Sequence, residues 1–202
     1  MKILGWNYRG ICNTSTINAL RALIRVHNPD VIFLSETKAT ESHMNRVASL
    51  LHFPYFCCVE ACGRSGGICL LWSHSIKVEV LEFDPNLIAI NILDCICSWT
   101  LVGFYGPYKR NRSSAWENLI VLLESVEGPW LCLGDFNVIL EDAKKEGGRI
   151  GSSSSPNYLK DLMFELGALD LGFAGNKFTW SNRRWGKGSI RERLDRGIAN
   201  TD

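Results

Sequence analysis

A chain of 202 residues with 46% hydrophobic side chains has the composition of a folded protein, which excludes a disordered or fibrous one. Its length fits one domain with a large core. The net charge of +1 excludes a global attraction to polyanions, so nucleic-acid binding would need a local basic patch.

Predicted strands and helices alternate along the chain. Apolar runs predict strands, and apolar residues at helical spacing predict helices, of which the first has cap candidates Thr14 to Thr16. The predicted strands are 2–6, 31–34, 67–72, 78–83, 87–93, 100–104, 130–133, 178–180 and 193–199. The predicted helices are one with a stripe from Ile17 to Ile24, one from Met44 to Leu51, one over 114–126 that opens with the capping box Ser114–Glu117, and one after Pro156 that is closed by Gly167.

This mixture predicts sheets covered by helices, with antiparallel strand pairs in the middle of the chain. A Gly/Ser-rich loop lies at 147–155, but the chain has neither internal repeats nor an interdomain linker. We therefore predict a single domain over residues 1–202.

The sequence shows no pattern typical of a targeting signal. There is no signal-peptide pattern at the start and no stretch long enough to span a membrane. The eight cysteines lack zinc-finger spacing, which favours a reducing compartment. We expect an intracellular protein, with the nucleus as one location, that acts as a monomer and has no membrane partner.

Segment 183–196 is basic. Six cations stand against Glu192 and Asp195, a local net charge of six minus two, or +4. The cations are Arg183, Arg184, Lys187, Arg191, Arg193 and Arg196. Such a segment is either a solvated loop or a contact for backbone phosphates.

Polar residues follow the apolar strands where each strand would leave the core. They are Asn7, Glu36, Tyr105, Asp135 and Asn137, and Asp195 stands in a fifth such segment. Because strand ends meet at one rim of a sheet, we expect these side chains to lie together. Any one of them alone is more often a solvated strand end or a turn residue, so the hypothesis depends on their combination.

These residue types suit phosphate chemistry. Glu36, Asp135 and Asn137 offer the oxygen ligands that Mg²⁺ or Mn²⁺ prefers, and such a metal stabilises charge on a phosphate. The side chains of Asn7, Asn137 and Tyr105 can donate hydrogen bonds to phosphate oxygens.

Seven motifs stand in the order of a known family. They are WNYRG at 6–10, PDVIFLSETK at 29–38, GGICLLW at 66–72, FYGPY at 104–108, GDFN at 134–137, FTWSNRR at 178–184 and ERLDR at 192–196. By these motifs the chain resembles the apurinic-type endonuclease domain of plant LINE retrotransposons, which is related to deoxyribonuclease I. The resemblance implies an α/β fold of α+β mixed type: a four-layer sandwich of two mixed β-sheets flanked by helices.

The resemblance also implies roles for the strand-end residues. Glu36 matches the family's metal ligand, and Asn7 the residue that supports the metal and phosphate site. Tyr105 matches the tyrosine that contacts the scissile phosphate. Asp135 matches the carboxylate that aligns or deprotonates the attacking water, and Asn137 its transition-state partner.

Asp195 matches the carboxylate that orients the family's catalytic histidine. The family ends its domain with a Ser-Asp-His strand, whereas the four histidines here stand at positions 27, 43, 52 and 74. The resemblance therefore implies a domain that lacks its last strand or strands, with impaired nicking. Tyr8, where the family more often has cysteine, is expected to be tolerated.

The main hypothesis is a Mg²⁺-dependent DNA endonuclease of retrotransposon origin, part of a longer polyprotein with reverse transcriptase. Arg183, Arg184 and Lys187 are expected to bind DNA phosphates. The alternatives are an inactive remnant that only binds DNA and a phosphatase of the same fold. The GxSxG pattern at 63–67 indicates a serine hydrolase only weakly, because a strand follows it and no later histidine exists.

Overall fold

The structure is a computed structural model. It describes residues 1–7, 10–11, 13–61, 66–94, 97–108, 112–140, 145–147 and 156–202. Tyr8, residues 63–65 of the GxSxG pattern and residues 148–155 of the Gly/Ser-rich loop lie outside the described residues. The chain divides into two compact units, Met1–Tyr105 and Gly106–Asp202.

The first unit begins with a four-stranded mixed sheet and two helices. These elements are β1 (Ile3–Asn7), α1 (Thr14–His27), β2 (Val31–Ser35), α2 (Glu41–Leu51), β3 (Tyr55–Val59) and β4 (Ile68–Trp72). The strand order is β1-β2-β4-β3. β1 and β2 are parallel, whereas β4 is antiparallel to both β2 and β3. Every residue of β2 and β4 is buried, as expected for central strands that are covered on both faces.

Helices α1 and α2 cover one face of this sheet. Their buried residues Leu20, Met44 and Val47 pack with Ile32 and Leu34, which alternate along β2. α1 is capped by the Asn13 side chain, which accepts from the backbone N–H of Thr16, so the predicted cap at Thr14 to Thr16 is wrong by one residue. Leu50, predicted within the apolar stripe of α2, is exposed.

A three-stranded antiparallel meander covers the other face. It consists of β5 (Lys77–Phe83), β6 (Leu87–Leu93) and β7 (Ser98–Tyr105), with β6 in the middle. β6 has the bounds that the sequence predicts. Gly103 of β7 lies directly against the ring of Phe33 in β2, and the two sheets of this unit meet there.

The second unit contains a further antiparallel sheet. Its elements are α3 (Arg112–Ser125), β8 (Trp130–Asp135), β9 (Lys145–Glu146), α4 (Tyr158–Glu165), β10 (Leu169–Asp170), β11 (Trp180–Ser181), β12 (Arg191–Glu192) and β13 (Asp195–Ala199). β13 lies between β8 and β10, and β11, β12 and β9 form a small separate sheet. α3 packs on α4 through Trp116, whose ring stacks on Tyr158 at 5.9 Å between centroids. Because α3 begins at Arg112, the predicted capping box Ser114–Glu117 lies inside the helix and is wrong.

No helix among the described residues is long and apolar enough to cross a membrane.

Replacing Gly103 with alanine is expected to destabilise the first unit, because a Cβ at this position would overlap the Phe33 ring, which is 1% exposed. Overpacking of this kind costs about 1–3 kcal/mol in the free energy of unfolding. Urea unfolding measures the loss. Gly188→Ala is the matched control, since its new methyl group would meet only the Arg184 Cδ at 3.9 Å. Equal unfolding free energies for the two variants would contradict this packing.

Candidate active site

Glu36 is the centre of a group of polar side chains in the first unit. Its Oε1 accepts hydrogen bonds from the Tyr105 hydroxyl at 3.0 Å and from the Asn7 Nδ2 at 3.4 Å. The Lys38 Nζ lies 3.9 Å from the other carboxylate oxygen. The ends of β1, β2 and β7 therefore bring Asn7, Glu36 and Tyr105 together, and we call these three residues the glutamate cluster.

The backbone at Glu36 is held in an uncommon conformation. Its φ of 53° is left-handed, which costs free energy for a residue other than glycine. The following residues are pinned, because the N–H of Thr37 donates to the Gly67 carbonyl at 2.9 Å and that of Lys38 to the Gly66 carbonyl at 3.1 Å. The Thr37 carbonyl in turn accepts from the Ile11 N–H at 3.0 Å. These bonds hold the Glu36 carboxylate at a fixed position after β2.

Tyr105 is positioned by Asn86, which the sequence reasoning missed. The Tyr105 N–H donates to the Asn86 carbonyl at 2.7 Å, and the Asn86 Nδ2 donates to the Tyr105 carbonyl at 2.8 Å. Asn86 lies in the β5–β6 turn, where the Asp84 carboxylate accepts from its N–H at 2.6 Å. The Asp-Pro-Asn sequence of this turn was the available signal.

A second polar group lies in the second unit. Asp135 ends β8 and Asp195 begins β13, and the two residues stand directly opposite each other in the antiparallel pair. The N–H of Asn137 donates to the Asp135 Oδ1 at 3.0 Å. We call Asp135, Asn137 and Asp195 the aspartate cluster. Like charges opposite each other destabilise a strand pair, so this cluster favours a nearby positive charge.

Two residues without an assigned role hold the aspartate cluster. The Gly106 N–H donates to the Asp135 carbonyl at 2.8 Å, and its own carbonyl accepts from the Asn137 Nδ2 at 2.8 Å. A Cβ at Gly106 would overlap the Phe136 carbonyl, so this close approach requires glycine. The Thr179 hydroxyl oxygen accepts from the Asp195 N–H at 3.1 Å.

The predicted site residues thus form two groups of three, one in each unit. That all six lie at a single rim stays a prediction. The described part of the chain contains no group of three or more histidine, cysteine, aspartate or glutamate side chains that could hold a metal ion. The predicted ligands Glu36, Asp135 and Asn137 are two carboxylates and an amide, and this all-oxygen set fits the chemistry of Mg²⁺ or Mn²⁺.

The basic segment is smaller than its sequence indicates. Arg193 is 2% exposed and Arg196 is 5% exposed. Both pair with Asp170, at 3.0 Å and 2.7 Å respectively. The expectation that both arginines belong to a solvated basic segment is therefore wrong, because their guanidinium groups are buried against a carboxylate 23 and 26 residues away.

The remaining cations of the segment lie on a hairpin between β11 and β12. Arg191 is 4.0 Å from Glu146, and the neighbouring strand residue Glu192 pairs with Lys145 at 3.1 Å. The tip of the hairpin, residues 182–190, holds Arg183, Arg184 and Lys187, and all three are exposed. The structure thus places the three predicted DNA-binding residues together at one tip.

Asp170 bridges the two buried arginines. Its burial alone would raise its pKa, but the N–H of Gly172 and the guanidinium groups of Arg193 and Arg196 outweigh that effect and lower the pKa below its usual value of 3.8. The charged form of Asp170 therefore stabilises the fold above about pH 4, and this contribution is lost as the pH falls through the lowered pKa.

Asp170→Asn is expected to lower the free energy of unfolding by about 3–5 kcal/mol at neutral pH, because two buried guanidinium groups lose their counter-charge. Chemical denaturation at several pH values measures the loss. The gap between wild type and variant should shrink as the pH falls below about 4, where Asp170 itself becomes protonated.

Glu146→Gln is the matched control, since its ion pair with Arg191 is exposed and worth less than about 1 kcal/mol. An Asp170→Asn variant as stable as this control would show that the buried pairs do not hold β13 in place.

Comparisons with known proteins identify the family and the fold. A family model described as "Endonuclease/Exonuclease/phosphatase family" matches residues 4–196. No curated protein matches the chain in sequence.

Three solved structures share the fold. The endonuclease domain of TRAS1, a telomere-specific non-LTR retrotransposon, is 18% identical with a TM-score of 0.68, and the match covers 99% of this chain and 85% of that one. A 3′ phosphatase from Neisseria, bound to a product DNA hairpin, is 16% identical with a TM-score of 0.71 and coverages of 100% and 87%. An AP endonuclease from Leishmania major is 18% identical with a TM-score of 0.71 and coverages of 98% and 78%. The predicted deoxyribonuclease I-like α/β fold is confirmed.

Proposed function

Because the chain belongs to the endonuclease/exonuclease/phosphatase family, we propose that it is a divalent-metal-dependent endonuclease that nicks DNA. The observation that carries the proposal is the Glu36 carboxylate, which is fixed by Tyr105 and Asn7 at the end of a buried strand. The motif resemblance to LINE endonucleases and the fold shared with a retrotransposon endonuclease domain support a retrotransposon origin.

Members of this family generally use divalent metal ions. Glu36, Asp135 and Asn137 are the proposed ligands of Mg²⁺ or Mn²⁺. The bound ion would stabilise the negative charge of the phosphate, which increases during the reaction. Tyr105 and Asn7 orient Glu36 through its Oε1. The Tyr105 hydroxyl can donate only one hydrogen bond, and it donates this bond to Glu36. To donate to a phosphate oxygen, as proposed, Tyr105 would first have to break its hydrogen bond to Glu36.

Asp135 is the proposed acceptor of the proton from the attacking water. Its Oδ1 accepts a hydrogen bond from the Asn137 N–H at 3.0 Å, which helps to fix the carboxylate in an orientation that suits alignment of the water. Asp195 is the proposed positioning residue opposite Asp135, and the Thr179 hydroxyl fixes its backbone.

Any nicking of supercoiled plasmid by the purified protein is expected to require added Mg²⁺ or Mn²⁺, and Glu36→Gln and Asp135→Ala are each expected to lower its rate at least about 10²-fold. Gel separation of supercoiled and nicked plasmid measures the rate. Glu79→Gln, an exposed carboxylate on β5, is the matched control and should nick like wild type.

Titration calorimetry with Mn²⁺ tests the proposed ligand role of Glu36, since Glu36→Gln should bind the ion more weakly than wild type. Nicking that survives in both Glu36→Gln and Asp135→Ala would refute the proposed site. Salt-sensitive DNA binding with no nicking by any form would support the alternative, an inactive DNA-binding module.

DNA is the proposed substrate because the hairpin tip concentrates positive charge on a nearly neutral chain. Arg183, Arg184 and Lys187 are exposed within five residues of one another, a spacing that suits neighbouring backbone phosphates. Binding of this kind releases condensed counterions, so the affinity depends on salt.

Replacing these three cations with alanine is expected to weaken binding to duplexes of any sequence and to flatten the salt dependence. The slope of log K against log salt should fall in magnitude by roughly 0.9 for each phosphate that the variant no longer neutralises. Fluorescence anisotropy at several salt concentrations measures the slope. The matched control removes three exposed cations from helices, namely Arg25, Arg46 and Lys160. If the two triple variants have the same slope, the hairpin tip does not contact DNA.

A further inference from the structure

The hairpin tip carries a large apolar side chain in full contact with water. Trp185 is 95% exposed, more than any other large hydrophobic residue that the structure describes. Burial of an indole ring is strongly favourable, but folding leaves this ring exposed, so binding of a ligand that covers it would be favourable. Trp185 stands directly after Arg183 and Arg184 and two residues before Lys187.

The tip that presents Trp185 is internally braced. The Asn182 Oδ1 accepts from the N–H groups of Arg184 and Ile190, both at 3.1 Å. The Asn182 Nδ2 donates to the Gly188 carbonyl at 2.8 Å. One side chain thus ties both arms of the tip together. A braced backbone loses little conformational entropy when its exposed side chains bind a ligand, which favours a recognition role.

We propose that Trp185 stacks on an unpaired base of DNA while the neighbouring cations contact the backbone. This inference rests on the proposed function and extends it to a preference for DNA structure. An indole offers a flat face that matches any base, and stacking of this kind does not depend on sequence. In an intact duplex the faces of the bases are already stacked, so Trp185 favours DNA with a gap, a bulge or a single-stranded segment.

The test compares a duplex that contains a two-nucleotide gap with an intact duplex of the same sequence. Binding is measured by anisotropy without divalent metal, so that no cleavage is needed. Trp185→Ala should bind the gapped DNA roughly tenfold more weakly, with little change for the intact duplex. Trp185→Phe should keep most of the affinity, because its ring still stacks. The salt slope of Trp185→Ala should match that of wild type, since no cation is removed.

Phe164→Ala is the matched control, because Phe164 is an aromatic residue on α4 that is 88% exposed. It should bind both DNAs like wild type. Quenching of tryptophan fluorescence by the gapped DNA should be smaller in Trp185→Ala than in Phe164→Ala.

Three results would overturn the inference. If wild type binds DNA but Trp185→Ala binds the gapped duplex equally well, stacking fails while the proposed function stands. If wild type binds neither DNA, both fail. If anionic phospholipid vesicles bind wild type but not Trp185→Ala, and the affinity for gapped DNA is equal in both, the tip contacts a lipid surface instead.

Discussion

Complete burial of strand β2 decides where a charged side chain can stand in the first unit. All five of its residues are buried, and a carboxylate among them would be removed from water without a partner. Glu36 is the first residue after this strand, with its side chain about one-fifth exposed. β8 differs, because it contains both buried and half-buried residues, and its last residue, Asp135, is itself buried. Both carboxylates stand at strand ends, where hydrogen-bond donors reach them.

The position of Glu36 also depends on strain that the surrounding loop compensates. A left-handed glutamate would relax if the backbone were free, because the β and right-handed regions are lower in energy for this residue. Backbone hydrogen bonds to Gly66 and Gly67 on the neighbouring segment prevent that relaxation. An orientation fixed in advance by backbone contacts suits the role of metal ligand proposed for Glu36, because little conformational entropy would be lost when a cation binds.

The grouping of strand-end residues such as Asn7 and Glu36 was more predictable from sequence than the residues that hold them in place. A long apolar run such as Leu87–Leu93 predicts its strand to the residue, and a polar residue after such a run predicts a strand end. The strands β9 to β12 have two residues each and therefore carry no periodicity. Asn86 and Thr179 act through hydrogen bonds to the backbone of distant residues, and the local sequence indicates the turn at Asn86 but not these partners.

The burial of Arg193 and Arg196 likewise could not be predicted from the sequence. Composition counts Arg193 and Arg196 as surface cations, because arginine is almost never buried without a partner. The partner, Asp170, lies in β10 at the edge of the sheet, and only the pairing of β10 with β13 brings it close. The number of cations in a sequence segment is therefore an upper limit on the number that the segment exposes to a ligand.

Separation of the buried cations from the exposed ones has a consequence for specificity. The deoxyribonuclease I-like fold hosts nucleases and phosphatases, so carboxylate clusters at strand ends do not by themselves select a substrate. Selection of the substrate then depends on residues outside the two clusters.

The buried arginines Arg193 and Arg196 cannot take part in this selection, since their guanidinium groups are bound to Asp170 and to the carbonyls of Gly172 and Arg193. The cations of the β11–β12 tip and Trp185 are exposed instead, which leaves these side chains available for a ligand. If the proposed function holds, changes at the tip should alter which ligand is bound and leave the reaction unchanged, whereas changes in the two clusters should alter the reaction and leave the choice of ligand unchanged.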